Sequence, residues 1–274
     1  MNKEKNLLNF SILNIDKPCG PTSFQVSQYI KRSLNLKKTA HMGTLDPQVS
    51  GVLPITLGRA CRLAEFLMHK DKTYIGIMRL HSPIQLKKLK EEMEQFLGEI
   101  TQLPPVRSRV KRAERQRTIK TFKILEAQDK KVLFETQVQA GTYIRKLIHD
   151  LGEKIQGAHM LELRRTQAGI FKEDTLVNLY DFEKAVNEYN QGNSKQLEKM
   201  LIPAETALKQ IMPSIQVPES LVKQLLLGKP LFKEDISKLP KEDIFSVFCK
   251  ERFIGVYHEV EDKNIIAKPS FVYN

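Results

Sequence analysis

Cysteine is scarce in this chain of 274 residues. Cys19, Cys61 and Cys249 stand far apart, are odd in number and form no C-x-x-C pair, so neither a disulfide framework nor a zinc site is indicated. The six histidines are scattered, which argues against a histidine-based metal centre. No apolar run reaches the ~18 residues that a membrane span needs. The opening MNKEKNLLNF lacks the apolar core of a signal peptide, so the cytoplasm is the expected compartment. Also missing are the phosphate-cradling G-x-x-x-x-G-K-[ST] loop, the dinucleotide G-x-G-x-x-G fingerprint, the zinc-binding H-E-x-x-H and the G-x-S-x-G elbow. Negative charge is in deficit, with 32 Asp and Glu against 44 Lys and Arg. The resulting charge of +12 and the pI near 9.5 point to a polyanionic partner. With 41% hydrophobic and 28% charged residues the chain reads as globular. A chain of this length has room for one large domain, or a large one and a small one, and buries roughly 75% of the surface it exposes unfolded.

Segment 11–16 (SILNID) has strand character and is broken by Pro18-Cys19-Gly20-Pro21. Thr22 or Ser23 then caps a helix with Val26, Ile30 and Leu34 on one face. Segment 36–51 is polar, basic and rich in turn formers, and reads as a loop. VLPITL (52–57) reads as a short buried strand, and Ala60, Ala64, Leu67 and Met68 recur at helical spacing. TYIGIMRL (73–80) is strand-like, and Leu86, Leu89, Met93, Phe96 and Leu97 form a helical stripe stopped by Gly98. Segments 118–127 and 131–140 flank a polar turn as a hairpin would. Ile144, Leu147, Ile148, Leu151 and Ile155 predict a helix closed by Gly157, followed by a strand within 158–171. A polar helical stretch, 178–201, is broken at Gly192. Pro203, Pro213 and Pro218 then mark a shift to a β-rich remainder, with a helix over 219–227 and strands around 244–249 and 252–260.

Three features carry chemistry. Asp46 lies in the loop His41-Met-Gly-Thr-Leu-Asp46-Pro47, beside Lys37 and Lys38; taken alone, an Asp before Pro is commonly a turn former. Arg145 and Lys146 open a well-formed helix, where cations oppose the helix dipole by ~0.3–1 kcal/mol each unless an anion offsets them or they point to water. The stretch 103–120 is interrupted by two prolines and carries Arg107, Arg109, Lys111, Arg112, Arg115, Arg117 and Lys120 against Glu114 alone. Its arginine content favours bidentate contacts to phosphate.

Five blocks occur in order: LNIDKPCGPTSFQVS (13–27), AHMGTLDPQVSGVLPITLG (40–58), KTYIG (72–76), GTYIRKLIHDLG (141–152) and LRRTQAG (163–169). Together they resemble the motif set of the TruB branch of pseudouridine synthases. Segments 98–119 and 157–171 resemble the archaeal, dyskerin-like enzymes of that branch, which are catalytic subunits of H/ACA ribonucleoproteins. Segment 213–231, together with the residues after it, resembles a PUA domain, a small RNA-binding β-barrel.

The resemblance implies an α+β pseudouridine synthase fold over 1–203, a mixed and mostly antiparallel sheet with helices, and a PUA barrel over 204–274. It implies isomerisation of uridine to pseudouridine in transfer RNA, at the T-loop uridine, or in ribosomal RNA. No metal and no organic cofactor are expected. The implied partners are RNA, including an H/ACA guide RNA, and small H/ACA proteins, with the chain a monomer inside the ribonucleoprotein and away from membranes. Asp46 corresponds to the family's essential carboxylate, acting as nucleophile or as base at the ribose, and Arg145 to the arginine that pairs with it. Tyr74 corresponds to the aromatic that stacks on the flipped uracil, Tyr143 and Leu163 to pocket-lining positions, and His41 to a loop histidine that holds the RNA open. Lys17, with Pro18, corresponds to a strand-turn motif under the active-site loop. Arg107, Arg109, Lys111, Arg112 and Arg115 are the expected phosphate contacts. Only a short link around Ser82-Pro83 separates the strand 73–80 from the following helix, where bacterial relatives carry a large insertion that grips transfer RNA. The missing insertion implies help from a guide RNA and partner proteins, while the short N-terminal arm and the lack of a long basic tail imply a weaker grip of the second domain on RNA. A stand-alone enzyme on transfer RNA and a non-catalytic RNA-binding scaffold are the alternatives; the scaffold predicts a lost Asp at the motif.

Overall fold

A computed structural model describes residues 7–104, 111–236, 239–262 and 264–274. The first sheet takes β1 (Ser11–Lys17), β2 (Thr39–His41), β3 (Ser50–Leu57), β4 (Lys72–Leu80), β5 (Gly98–Gln102), β6 (Arg115–Gln128), β7 (Lys131–Val138), β8 (Ala158–Ala168), β9 (Phe171–Lys172) and β10 (Leu201–Pro203). Its order is β10-β1-β3-β8-β4-β7-β6-β5, with β2 added to β3 and β9 to β8. The β3–β8 ladder is parallel and the others are antiparallel, so the sheet is mixed and mostly antiparallel. That parallel seam consists of two register pairs, Ser50 with Arg164 and Gly51 with Arg165.

Helix α1 (Ser23–Ser33) starts as its sequence requires. The Thr22 hydroxyl accepts from the Gln25 amide and the Gln25 side chain accepts from the Thr22 amide, a reciprocal capping box. Helix α2 (Leu86–Glu94) ends one turn before Gly98, because Gly98 opens β5. Helix α3 (Ile144–Lys154) buries Ile144, Leu147, Ile148 and Leu151, the face that the apolar spacing predicts. It lies so close to β8 that a Cβ on Gly152 would stand 2.5 Å from the Ala158 amide nitrogen. The polar stretch near 178–201 forms α4 (Leu179–Asn190) and a short helix over Lys195–Met200, separated at Gly192. Segment 36–51 is not wholly a loop: residues 39–41 pair with 55–57 as β2.

The second sheet takes β11 (Ser214–Gln216), β12 (Leu231–Phe232), β13 (Ile244–Cys249), β14 (Arg252–Glu259) and β15 (Ile265–Val272), in the order β11-β13-β14-β15-β12, with α5 (Glu219–Leu226) beside it. Val247, Ile254, Tyr257 and Ala267 build its own core. A further cluster joins the two sheets: Phe10, Ile12, Met42 and Val52 of the first pack with Phe248, Phe253, Val256 and Phe271 of the second. Phe10 stacks on Phe253 at 5.5 Å and on Tyr273 at 3.9 Å between ring centroids. Among the described residues no helix is long and apolar enough to cross a membrane.

Gly51, at the parallel seam, has φ +100°, and a Cβ there would lie 2.2 Å from the Arg165 carbonyl oxygen. Gly51→Ala is therefore expected to destabilise the protein by about 1–3 kcal/mol. A fall of several degrees in the thermal midpoint would report it; an unchanged midpoint would show that the seam gives way freely.

Candidate active site

The loop between β2 and β3 carries Asp46, and its neighbours explain how it is held. Leu45 and Val49 are buried in the main core, in the same cluster as Tyr74, Ile144, Leu147 and Leu163. The Ser23 hydroxyl accepts from the Leu45 amide and donates to the Leu45 carbonyl. The Val49 amide donates to the Asp46 carbonyl and closes the turn at Pro47. Asp46 thus stands between two anchored apolar residues with its side chain 48% exposed.

Arg145, in the first turn of α3, meets it: Nη2 lies 2.7 Å from Asp46 Oδ2. Lys146 pairs with Asp150 one turn further on. Both cations that sequence places unfavourably at this helix start therefore have a carboxylate. Tyr143 precedes the helix as its N-cap and provides no side-chain cap. Buried Gln102 at the end of β5 grips its backbone instead, accepting from the Tyr143 amide at 3.0 Å and donating to its carbonyl at 3.2 Å. Gln102 also pairs in register with Arg115. Gly141 has φ +84°, and its Cβ position lies 3.1 Å from Arg117 Nε. The start of β6 is thereby brought beside the loop that leads into α3.

Lys17 is fully buried beneath the Asp46 turn. Its Nζ donates to the carbonyls of Pro18 (2.8 Å), Pro47 (3.2 Å) and Val49 (2.9 Å), one acceptor for each ammonium hydrogen. Burial lowers its pKa, Cys19 and Asp46 push back, and Arg165 lowers it further. Lys72 is likewise buried and donates to the carbonyls of Met68 and Lys70. Its pKa is pushed down to about 8, mainly by burial and secondly by Arg165, with Asp71 opposing. His41 ends β2, and its Nδ1 is buried without a hydrogen-bond partner among the described residues. Burial and then Arg165 lower its pKa below the usual value of 6.5, which favours the neutral ring near pH 7.

Tyr74 and Leu163 lie in the sheet itself. Tyr74 is in register with Arg165 on β8, and Leu163 with Gly76 on β4. Gly76 matters here because a Cβ would come within 3.0 Å of the Leu163 side chain. The adjacent arginines of LRRTQAG turn opposite ways, as strand alternation demands. Arg164 makes a bidentate pair with Asp16 (2.9 and 3.1 Å) and bonds Glu173 (2.6 Å). Arg165 is 1% exposed.

Direct contacts join Asp46 to Arg145, and Lys17 to the turn that carries Asp46. Tyr143 stands two residues before Arg145, His41 ends the strand that leads into the loop, and Tyr74 and Leu163 are placed by their register in β4 and β8. The structure does not gather all of the basic stretch with them. Lys111 and Arg112 are exposed and make no side-chain contact to that group among the described residues, and Arg107 and Arg109 lie outside the described residues. Gln102, Lys72 and Arg165 were not singled out by sequence; two of them sit inside motif blocks, but nothing in a residue string says that a cation will be buried. Among the described residues the candidate metal cluster, His149, Asp150 and Glu153, lies along α3, where Asp150 already pairs with Lys146.

Comparison with known proteins identifies the family. Residues 31–144 match the N-terminal domain of TruB family pseudouridylate synthases, and residues 145–209 match the tRNA pseudouridylate synthase B C-terminal domain. A probable tRNA pseudouridine synthase B of Pyrococcus horikoshii is 44% identical over 235 residues, 85% of this chain and 70% of that protein. A counterpart in Nanoarchaeum equitans is 39% identical over 89% of this chain and 71% of its own length. Among solved structures, a chain of a Cbf5-Nop10-Gar1 complex is 36% identical, with a TM-score of 0.89 over 99% of this chain and 87% of that one. A chain of an H/ACA ribonucleoprotein bound to a substrate RNA containing 2′-deoxyuridine is 33% identical, with a TM-score of 0.88 over 100% of this chain and 88% of that one. The molecule is accordingly a pseudouridine synthase. It belongs to the TruB family, in the archaeal, dyskerin-like branch.

The buried Lys72 has a consequence for stability. Its folded-state pKa, about 8, lies below the ordinary 10.5, so between these values the unfolded chain binds more protons. This group's contribution must therefore make the protein more stable as pH rises from about 8 to 10.5. In Lys72→Met the urea midpoint should rise less over that window than in the parent; parallel profiles would mean that Lys72 titrates normally.

Proposed function

We propose that this enzyme isomerises uridine in structured RNA with Asp46 as the reacting carboxylate, acting as the catalytic subunit of a guide-RNA H/ACA ribonucleoprotein on ribosomal or transfer RNA. The observation that carries the reading is the half-exposed Asp46 carboxylate, paired at 2.7 Å with Arg145 and flanked by buried Leu45 and Val49. A stacked uridine hides both its glycosidic bond and the C5 to be joined, so the nucleotide must be everted into the site. Asp46 then acts at the ribose, as nucleophile or as base, while the N1–C1′ bond breaks. The freed uracil turns, C5 bonds to C1′, and C5 gives up a proton while N1 ends with one. Atoms and electrons balance within the nucleotide, so the step draws on no redox partner or group donor.

Arg145 orients the carboxylate. Tyr74 stacks on the everted uracil, Tyr143 and Leu163 line the pocket, and His41 supports the opened RNA. Lys17 holds the turn from below. Arg107, Arg109, Lys111, Arg112 and Arg115 meet phosphates along the approach. The placement of Arg115 beside Gln102, which grips Tyr143, supports a backbone track leading to the pocket.

We read the second sheet with α5 as a PUA barrel that binds RNA, with the catalytic domain over 1–203 and the barrel over 204–274. Its separate core supports this, as does the proline-marked shift in composition. The helix Ala204–Lys209 packs into the cluster shared by the two sheets. The likeness to chains solved with Nop10, with Gar1 and with substrate RNA supports small ribonucleoprotein partners for this chain. The names of the curated relatives point to transfer RNA as a substrate, and a second mode is a stand-alone enzyme for its T-loop uridine. Purified protein incubated with unmodified transfer RNA, without guide or partner, separates the two: product at a rate that matches the reconstituted particle would establish the stand-alone mode.

Asp46→Asn should abolish pseudouridine formation and leave RNA affinity within about threefold; turnover equal to the parent would remove Asp46 from the reaction. Neutralising Arg112 and Arg115 together should weaken RNA binding and flatten the log–log salt dependence by roughly 0.7–0.9 for each phosphate no longer neutralised. A slope that stays put would take this stretch out of the interface.

A further inference from the structure

Arg165 is the bulkiest side chain that the described fold buries almost completely, at 1% exposure. Among the described residues no carboxylate pairs with it. A guanidinium taken out of water without a counter-charge is costly unless its N–H groups are bonded. Its bonds go to two particular carbonyls: Nε donates to Val52 at 2.7 Å and Nη2 to Gly43 at 3.0 Å. Gly43 lies near the start of the loop that contains Asp46, and Val52 lies in β3 just beyond its end. Gly43 has φ +96°, a left-handed conformation that favours glycine, while a Cβ there would make only ordinary contact with Nη1 at 3.5 Å.

We propose that Arg165 is a positioning residue for the isomerisation: its guanidinium staples Gly43 to Val52 and so fixes the height and angle at which the intervening loop presents Asp46. The proposal rests on Asp46 being the reacting carboxylate. The planar fork is what the task needs, since it presents donors in fixed directions to two acceptors. A lysine offers a single point charge and cannot reproduce that fork. The position is central as well as buried. Arg165 is in register with Tyr74 on one side and with Gly51 on the other, so one residue of β8 touches the base-stacking strand and the end of the catalytic loop. Its charge is felt at Lys17, His41 and Lys72, and it lowers the pKa of each. Lys17 holds the middle of the same loop through Pro47 and Val49, so the two cations fix complementary parts of it.

The test compares Arg165→Lys and Arg165→Met with the parent and with Asp46→Asn. Single-turnover rates and RNA dissociation constants are measured on whichever RNA the guide-dependence assay identifies as substrate. Displacing a reacting group by about 1 Å costs on the order of 100-fold. Each folded Arg165 variant should therefore lose about 100-fold in the single-turnover rate constant at saturating RNA, with its Kd within about threefold of the parent. A parental rate constant in a folded variant overturns the proposal, as does a loss confined to Kd. An active Asp46→Asn overturns the underlying reading instead, so the two failures are distinguishable. A measurement on the unmutated protein covers the case in which neither variant folds. The Arg165 Nε–H should exchange slowly with solvent and share the denaturant dependence of the Leu45 and Val49 amides, as one cooperative unit. Exchange as fast as that of a free arginine overturns the staple.

Discussion

The loop between β2 and β3 has to do two incompatible things, and the backbone carbonyl bonds beneath it reconcile them. It must leave Asp46 open to solvent, and it must not move. Residues in an exposed turn have few apolar contacts with which to hold still. Here the apolar contacts come from Leu45 and Val49 on either side of the carboxylate, and the polar ones from buried cations below. Lys17 takes the inner carbonyls of the turn, and Arg165 takes those of Gly43 and Val52 to either side of it. The arrangement inverts the usual one, in which a buried charge is balanced by an opposite charge. Dipoles of the loop do the balancing, so the stability of the cations and the shape of the loop are one quantity.

The second half of the site arrives by a separate route. Helix α3 is pressed onto β8 by its apolar face and by the close approach at Gly152, and its first turn is registered by Gln102 from the far edge of the sheet. Asp46 and Arg145 meet because two independently fixed pieces of chain end at the same place. Their ion pair is half exposed, where such a contact is worth at most ~1 kcal/mol. It is therefore a result of the fold and contributes little to holding it together; what it sets is the direction of the carboxylate.

Much of this was legible in the residues. The stripe Ile144–Leu147–Ile148–Leu151 gave α3, the strand-like run 73–80 gave β4, and a cap at Thr22 or Ser23 gave the start of α1, because in each case the signal is local. The short strands β2 and β9 to β12 were not legible, since two or three residues carry no period and pair only because the sheet edge is already there. The stop of α2 at Glu94 was missed because Phe96 and Leu97 continue the apolar spacing past the helix, while Gly98 serves the next strand. At the site, ordered motif blocks pointed to Asp46 and Arg145, whereas composition alone left Asp46 as a turn former. Lys72 and Arg165 look like surface cations in a string of letters. Their burial depends on which way β4 and β8 face, and that is fixed by the whole sheet.

The packing of Phe10 against Phe253, Phe271 and Tyr273 bears on how the chain is made. Strand β1 finds β3 early in translation, but its other neighbour, β10, and the aromatic seat for Phe10 belong to sequence synthesised much later. At ~5–20 residues per second the wait is on the order of ten seconds or more. During it the nascent protein presents one unsatisfied β-edge and one bare phenylalanine to whatever surrounds the ribosome. The β1 edge and the Phe10 stack are thus completed by segments that lie far along the sequence.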